Sequence, residues 1–206
     1  MDNVLNITRD QLDALREIGN IGSGNAASAL AQFLNRKIDM SVPNASIMDL
    51  NDIPTIVGGA NKEILGIFLK IMGDISGRFL LLIPEDTSIK ILKTMIPGCE
   101  TETLTKMGEM ESSCLREIGN ILAGAFLNAL SVLTQTPMLN SLPSINFDYA
   151  GALIDNVVAD MVAVSDKVLM METSFIEEQE DMRIHIFILP APDSLKLLLQ
   201  KIGVMA

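Results

Sequence analysis

Seven consecutive residues, Leu15-Arg16-Glu17-Ile18-Gly19-Asn20-Ile21, return unchanged 100 positions later as Leu115-Arg116-Glu117-Ile118-Gly119-Asn120-Ile121. Over 11–30 and 111–130, 10 of 20 positions are identical, adding Gly24/Gly124, Ala29/Ala129 and Leu30/Leu130. The same offset aligns Ser41 and Pro43 with Ser141 and Pro143. Near the ends Pro84, Ser88 and Lys90 align with Pro190, Ser194 and Lys196 at an offset of 106. A repeat reaching from one end of the chain to the other constrains the fold more than any local pattern does. It predicts two like-built halves, about 1–100 and about 101–206, in a chain of 206 residues whose length suits one domain.

Each half reads as a long helix, a Pro-interrupted strand, a short helix, two strands and a closing helix. In the first half, Thr8 and Gln11 have the spacing of a capping box, opening a helix that runs to about Asn35. Arg36 to Met48 alternates as a strand. Lys62 to Met72 and Ile75 to Pro84 are β-rich around Gly73-Asp74, a dipeptide suited to a tight turn, and Glu85 to Ile96 closes the half as a helix. The second half predicts a helix from about Thr105 to Thr134, strands near Met138–Asp148, Val164–Phe175 and Met182–Pro190, a helix over Tyr149 to Met161, and a last helix from Asp193. The expected fold is α/β (α+β): a six-stranded antiparallel or mixed sheet with packed helices, built from two pseudo-two-fold-related repeats in a single compact domain.

Helical spacing puts Asp13, Glu17, Asn20 and Gly24 on one stripe, and Ser113, Glu117, Asn120 and Gly124 on its duplicate. Apolar Leu12, Leu15, Ile18 and Ala26 lie mostly away from it, so the helix can bury one side and offer the other. A carboxylate and a carboxamide one turn apart form a rigid polar pair: the amide can orient a water as donor and acceptor, and the carboxylate can hold a partner's cation. Neither is a strong nucleophile, and the pair suits a reaction that needs positioning, as phosphoryl transfer to water does. The bland alternative is a solvated helix face kept from duplication. Gly19, Gly22 and Gly24 inside one helix each cost roughly 1 kcal/mol relative to alanine. That cost is offset either by a flattened surface that admits another protein or by close packing on the duplicate helix.

Other features narrow the field. Pro43 and Pro143 read as bulge or edge positions of strands, His185 is a structural residue, and the 13 methionines are mostly core fillers. Cys99 and Cys114 make no disulfide framework or metal-ligand motif, which suits a reducing cytosol. The first residues lack a basic start followed by an apolar run, so no secretory signal is expected. Charged or amide residues interrupt the apolar stretches 64–84 and 118–133, so neither is expected to span a bilayer. A net charge of -11 without clustered Lys or Arg disfavours nucleic acid and anionic lipid and favours protein partners.

Asp/Ser-x-x-x-Glu-x-x-Asn, 22 residues and then Pro occurs twice, as Asp13-Glu17-Asn20-Pro43 and Ser113-Glu117-Asn120-Pro143. This resembles the signature of the CheC/CheX/FliY response-regulator phosphatases. Two intact sites in a chain of this length resemble the CheC branch. CheX-like proteins have one site, and FliY-like proteins carry additional flagellar-switch segments. The resemblance implies hydrolysis of the aspartyl-phosphate of CheY, with Asn20 and Asn120 placing the attacking water and Glu17 and Glu117 pairing with a regulator lysine. It implies no cofactor of the chain's own, since Mg2+ comes with the phosphorylated regulator. It also implies a second partner, the receptor deamidase CheD, for which Asp148 and the following helix are the candidate contact. The competing readings are a non-catalytic module that sequesters CheD or phosphorylated CheY, and a flagellar-switch component, which would need a docking segment that this sequence does not display.

Overall fold

A computed structural model describes residues 9–34, 37, 39–159, 167–177 and 180–203. Thr8 of the expected capping box, Arg36 at the expected strand start, Asp160 and Met161 at the end of the expected helix, and Val164 lie outside the described residues, as do the side chains of Leu12 and Pro43. The elements run α1 (Arg9–Leu34), β1 (Asp39–Asp49), a 3-10 turn (Leu50–Asp52), α2 (Ile53–Ile56), β2 (Glu63–Gly73), β3 (Gly77–Pro84) and α3 (Glu85–Met95). A second 3-10 turn (Leu104–Lys106) leads into α4 (Glu109–Thr134), β4 (Met138–Asn140), β5 (Ser144–Tyr149), α5 (Ala150–Ala159), β6 (Lys167–Glu177), β7 (Glu180–Pro190) and α6 (Pro192–Gly203).

Among the described residues the sheet has seven strands, not six, in the order β1-β6-β7-β3-β2-β4, with β5 also on β2, and every pairing is antiparallel. The expected strand over Met138–Asp148 is split at 141–143. Proline has no N–H for a ladder, so the chain leaves the sheet at Ser141-Leu142-Pro143 and rejoins it, β4 and β5 both lying along β2. Pro43 has a milder effect on β1. Ser41 pairs with Ser174 and Asn44 with Glu172, so Val42 and Pro43 together oppose Thr173 in a bulge. Both prolines sit on sheet edges, where a missing N–H costs least. The edge strands are also exchanged: β1 pairs with β6 from the second half, and β4 and β5 with β2 from the first.

Alternation divides the apolar residues between two cores. Phe79, Leu81 and Ile83 join Leu15, Ile18 and Leu30 of α1, Ile91 of α3, Leu115 and Phe126 of α4, and Leu198 of α6. Leu80 and Leu82 face the other way, onto Ile53 of α2 and Leu153 and Val157 of α5. A strand with helices on both faces must be apolar at successive positions, as Phe79 to Ile83 are, all fully buried. The hairpin between β2 and β3 turns through 74–76. Gly73 adopts φ 129° there, a region L side chains rarely enter, and a Cβ on it would also strike the carbonyl oxygen of Pro137. The connection between halves is pinned, since Glu85 Oε1 accepts hydrogen bonds from Leu104 N and Thr103 Oγ1, both at 2.9 Å.

Among the described residues α4 is long and apolar enough to cross a membrane, yet half of its most apolar window is buried inside the protein. Cys99 and Cys114 are free, half-buried thiols. Burial, then the neighbouring Cys99 and Glu111, push the Cys114 thiol up to about 11, which keeps it protonated and unreactive at neutral pH. His185 stacks on Phe187 at 6.4 Å, and its burial lowers its pKa against the opposing pull of Glu172.

Candidate functional site on the twin helices

Helices α1 and α4 pack against each other on one face of the sheet. Their shared heptapeptide divides as an amphipathic helix must: Leu15, Ile18, Leu115 and Ile118 are buried, whereas Glu17, Asn20 and Glu117 are exposed and Asn120 half-exposed. Asp13, Gly24 and Ser113 are exposed and Gly124 half-exposed, so each stripe is open to solvent along its length. Glutamate and asparagine three residues apart have Cβ atoms about 5–6 Å apart, close enough for one partner to meet both.

The glycines divide between the two roles open to them. A Cβ on Gly22 would lie 2.7 Å from Cδ1 of Phe126, so this glycine lets α4 approach α1. At the offset positions the sizes are reversed, Leu122 standing for Gly22 and Ala26 for Phe126. A methyl on Gly24 would meet nothing within 4 Å, so this glycine leaves the stripe flat. Gly119 serves packing on the sheet, where a Cβ would lie 2.6 Å from Ile67 Cγ2. Ser23 is 1% exposed, and among the described residues its hydroxyl has no hydrogen-bond partner.

The polar surroundings of the two pairs differ. Arg16 bonds Asp13 at 3.4 Å, but with Ser113 at the matching place Arg116 turns to Glu109 at 3.6 Å. Asn140 Nδ2 donates to Asn120 Oδ1 at 2.9 Å and to the carbonyl of Ser141 at 3.1 Å. Ser141 is tied to β2, its N–H donating to Lys70 O at 3.0 Å and its hydroxyl oxygen accepting from Lys70 N at 2.9 Å. Sequence reasoning missed Asn140. The signal was present, since at the offset of 100 it faces Met40, a polar residue against an apolar one inside an aligned segment.

Asp148 sits apart from these pairs. It pairs with Ile64 in the edge ladder, and its Oδ1 accepts from Tyr149 N at 2.8 Å just before α5. On the α5 face of the sheet lies a cavity of about 300 Å³ lined by Phe68, Arg78, Asn146, Leu153, Asn156 and Val157 among others. Among the described residues no group of three His, Cys, Asp or Glu is placed to hold a metal ion.

The model of the CheC-like family matches residues 11–47 and 110–139, the two helices with the segments that follow them. The chain is 37% identical over 201 residues to the CheY-P phosphatase CheC of Bacillus subtilis (strain 168), covering 96% of each. Among solved structures, Thermotoga maritima FliY superposes with a TM-score of 0.77 at 21% identity, covering 98% of this chain and 100% of that one. The FliM middle domain from H. pylori superposes at 0.67 and 12% identity, covering 95% and 99%. The two structural likenesses speak to the fold, whereas the near full-length identity speaks to descent. By that match the chain belongs to the CheC-like family.

Proposed function

We propose that the protein is a phosphatase of the aspartyl-phosphate on a CheY-type response regulator, working from both helix stripes. The observation that carries this reading is an acid and an amide, open to solvent one turn apart on each of two helices, in a chain 37% identical to a CheY-P phosphatase along almost its whole length. The regulator brings the phosphoryl group and its own Mg2+, so this chain needs to supply position alone. Asn20 or Asn120 enters beside the phosphoryl group and orients a water in line with the P–O bond. Water forms the new bond to phosphorus, the regulator's aspartate leaves as carboxylate, and the proton passes to solvent or phosphate. Glu17 or Glu117 pairs with a lysine of the regulator and fixes the approach, and Gly24 or Gly124 keeps the helix surface low enough for it.

Asp148, Tyr149 and the start of α5 are the proposed contact for a second protein, CheD, away from the catalytic stripes. The expected location is the cytoplasm, where the regulator is. The purified chain should speed the loss of phosphate from an acyl-phosphorylated receiver domain in proportion to its concentration. Decay that stays at the regulator's own rate over a wide range of concentrations would overturn the reading.

A further inference from the structure

Asn140 is the one hydrogen-bond partner of either catalytic amide among the described residues, and it serves α4 alone. Its orientation is fixed by chemistry. The carbonyl of Ser141 can accept but never donate, so the Asn140 side-chain atom beside it must be the nitrogen. That same nitrogen faces Asn120, so the facing Asn120 atom must be its oxygen. The Asn120 oxygen is therefore turned toward β4, and its NH2 group is turned away. One lone pair of that oxygen remains free to accept from a water. An accepted hydrogen bond also polarises the amide and strengthens its N–H groups as donors.

The support is built into the second half. Ser141 is clamped to the Lys70 backbone through its own N–H and its hydroxyl oxygen, which holds Asn140 beside α4. Gly124 leaves the space: a Cβ there would come to 3.9 Å from Asn140 Oδ1, so a longer side chain would crowd the amide. At the matching place in the first half stands Met40, half-buried against the first core. A thioether has no proton to donate, and the terminal torsion of an asparagine is broad when nothing holds it.

We infer that Asn140 is a positioning residue for the α4 site, holding the Asn120 carboxamide in one orientation and making that site the faster of the two. This rests on the reading that the amides place the attacking water. Each site is isolated first, Asn20→Ala leaving α4 active and Asn120→Ala leaving α1. In the Asn20→Ala protein, Asn140→Met should lower kcat for the phosphorylated receiver about threefold to tenfold, with KM within about twofold. Asn140→Asp keeps the shape but offers no donor and draws the Asn120 NH2 group inward, so it should lower kcat further. In the Asn120→Ala protein, Met40→Asn should raise kcat, an arm that leaves Asn140 unchanged and therefore stands even where an Asn140 variant folds poorly.

Folded Asn140 variants with unchanged kcat, a loss confined to KM, or an α1-only protein as fast as the α4-only one would each overturn the inference while leaving the phosphatase reading intact. Full activity in the Asn20→Ala/Asn120→Ala double variant would instead overturn that underlying reading.

Discussion

Helices α1 and α4 carry the same seven residues with the same three positions buried, yet their neighbourhoods diverge within a few ångströms. On α1, Asp13 holds Arg16, Gly22 receives Phe126, and Met40 stands on a continuous, bulged edge strand. On α4, Arg116 reaches back to Glu109, Leu122 fills the place of the glycine, and a broken edge strand presents Asn140 to the amide. The seven residues are thus copied while their surroundings are not. If catalysis depends on positioning, as proposed, the orienting groups decide the rate, and the two identical motifs act as two different sites.

The packing difference should produce the largest stability effects. Leu122 is fully buried, and Leu122→Ala should cost about 2–5 kcal/mol in chemical unfolding. Its counterpart fails in the opposite sense: Gly22→Ala drives a methyl into Phe126, and after a gain in helix propensity of about 1 kcal/mol it should still destabilise by about 1–2 kcal/mol. A stable Gly22→Ala protein would mean that the helices have room to part. Next in size is Glu17→Lys with Glu117→Lys, which under the proposed mechanism sets a cation against the regulator's lysine. It should lower kcat/KM by about 2 kcal/mol, roughly thirtyfold, with unfolding unchanged. Equal losses from the two single variants would argue that the sites contribute alike.

The smallest effect separates stability from function. Nothing lies within 4 Å of a methyl on Gly24, so Gly24→Ala should stabilise the protein by up to about 1 kcal/mol. It should also raise KM for the phosphorylated receiver, because in the proposed mechanism the added methyl stands where the partner docks. A gain in stability with no change in KM would assign Gly24 to chance rather than to docking.

The helices, the hairpin and most strands were legible in the sequence because their signals are local. Alternation marked β1, and β-rich runs on either side of Gly73-Asp74 marked β2 and β3, although burial of Phe79–Ile83 on both faces became visible only in the fold. The seventh strand was hidden because proline breaks one edge and only bulges the other, and the outcome depends on how β2 holds Ser141. The exchange of edge strands between halves was equally out of reach, since pairing of β1 with β6 spans more than a hundred residues and leaves no local trace. Three helical glycines looked alike in sequence. Only their neighbours distinguish Gly22, which admits Phe126, from Gly24, which faces solvent. Asn120 was legible as a candidate, but its partner lay in a strand and became visible only when the fold joined them.

The central claim is that two exposed amides do the positioning, and its most direct measurement is kcat for phosphate loss from an acyl-phosphorylated receiver with the Asn20→Ala/Asn120→Ala protein. If the amides place the water, the double variant should lose at least about 2.7 kcal/mol of barrier lowering, a hundredfold or more in rate, while unfolding at the same denaturant concentration as the parent. A double variant that is folded and turns over at the parental rate would contradict the account.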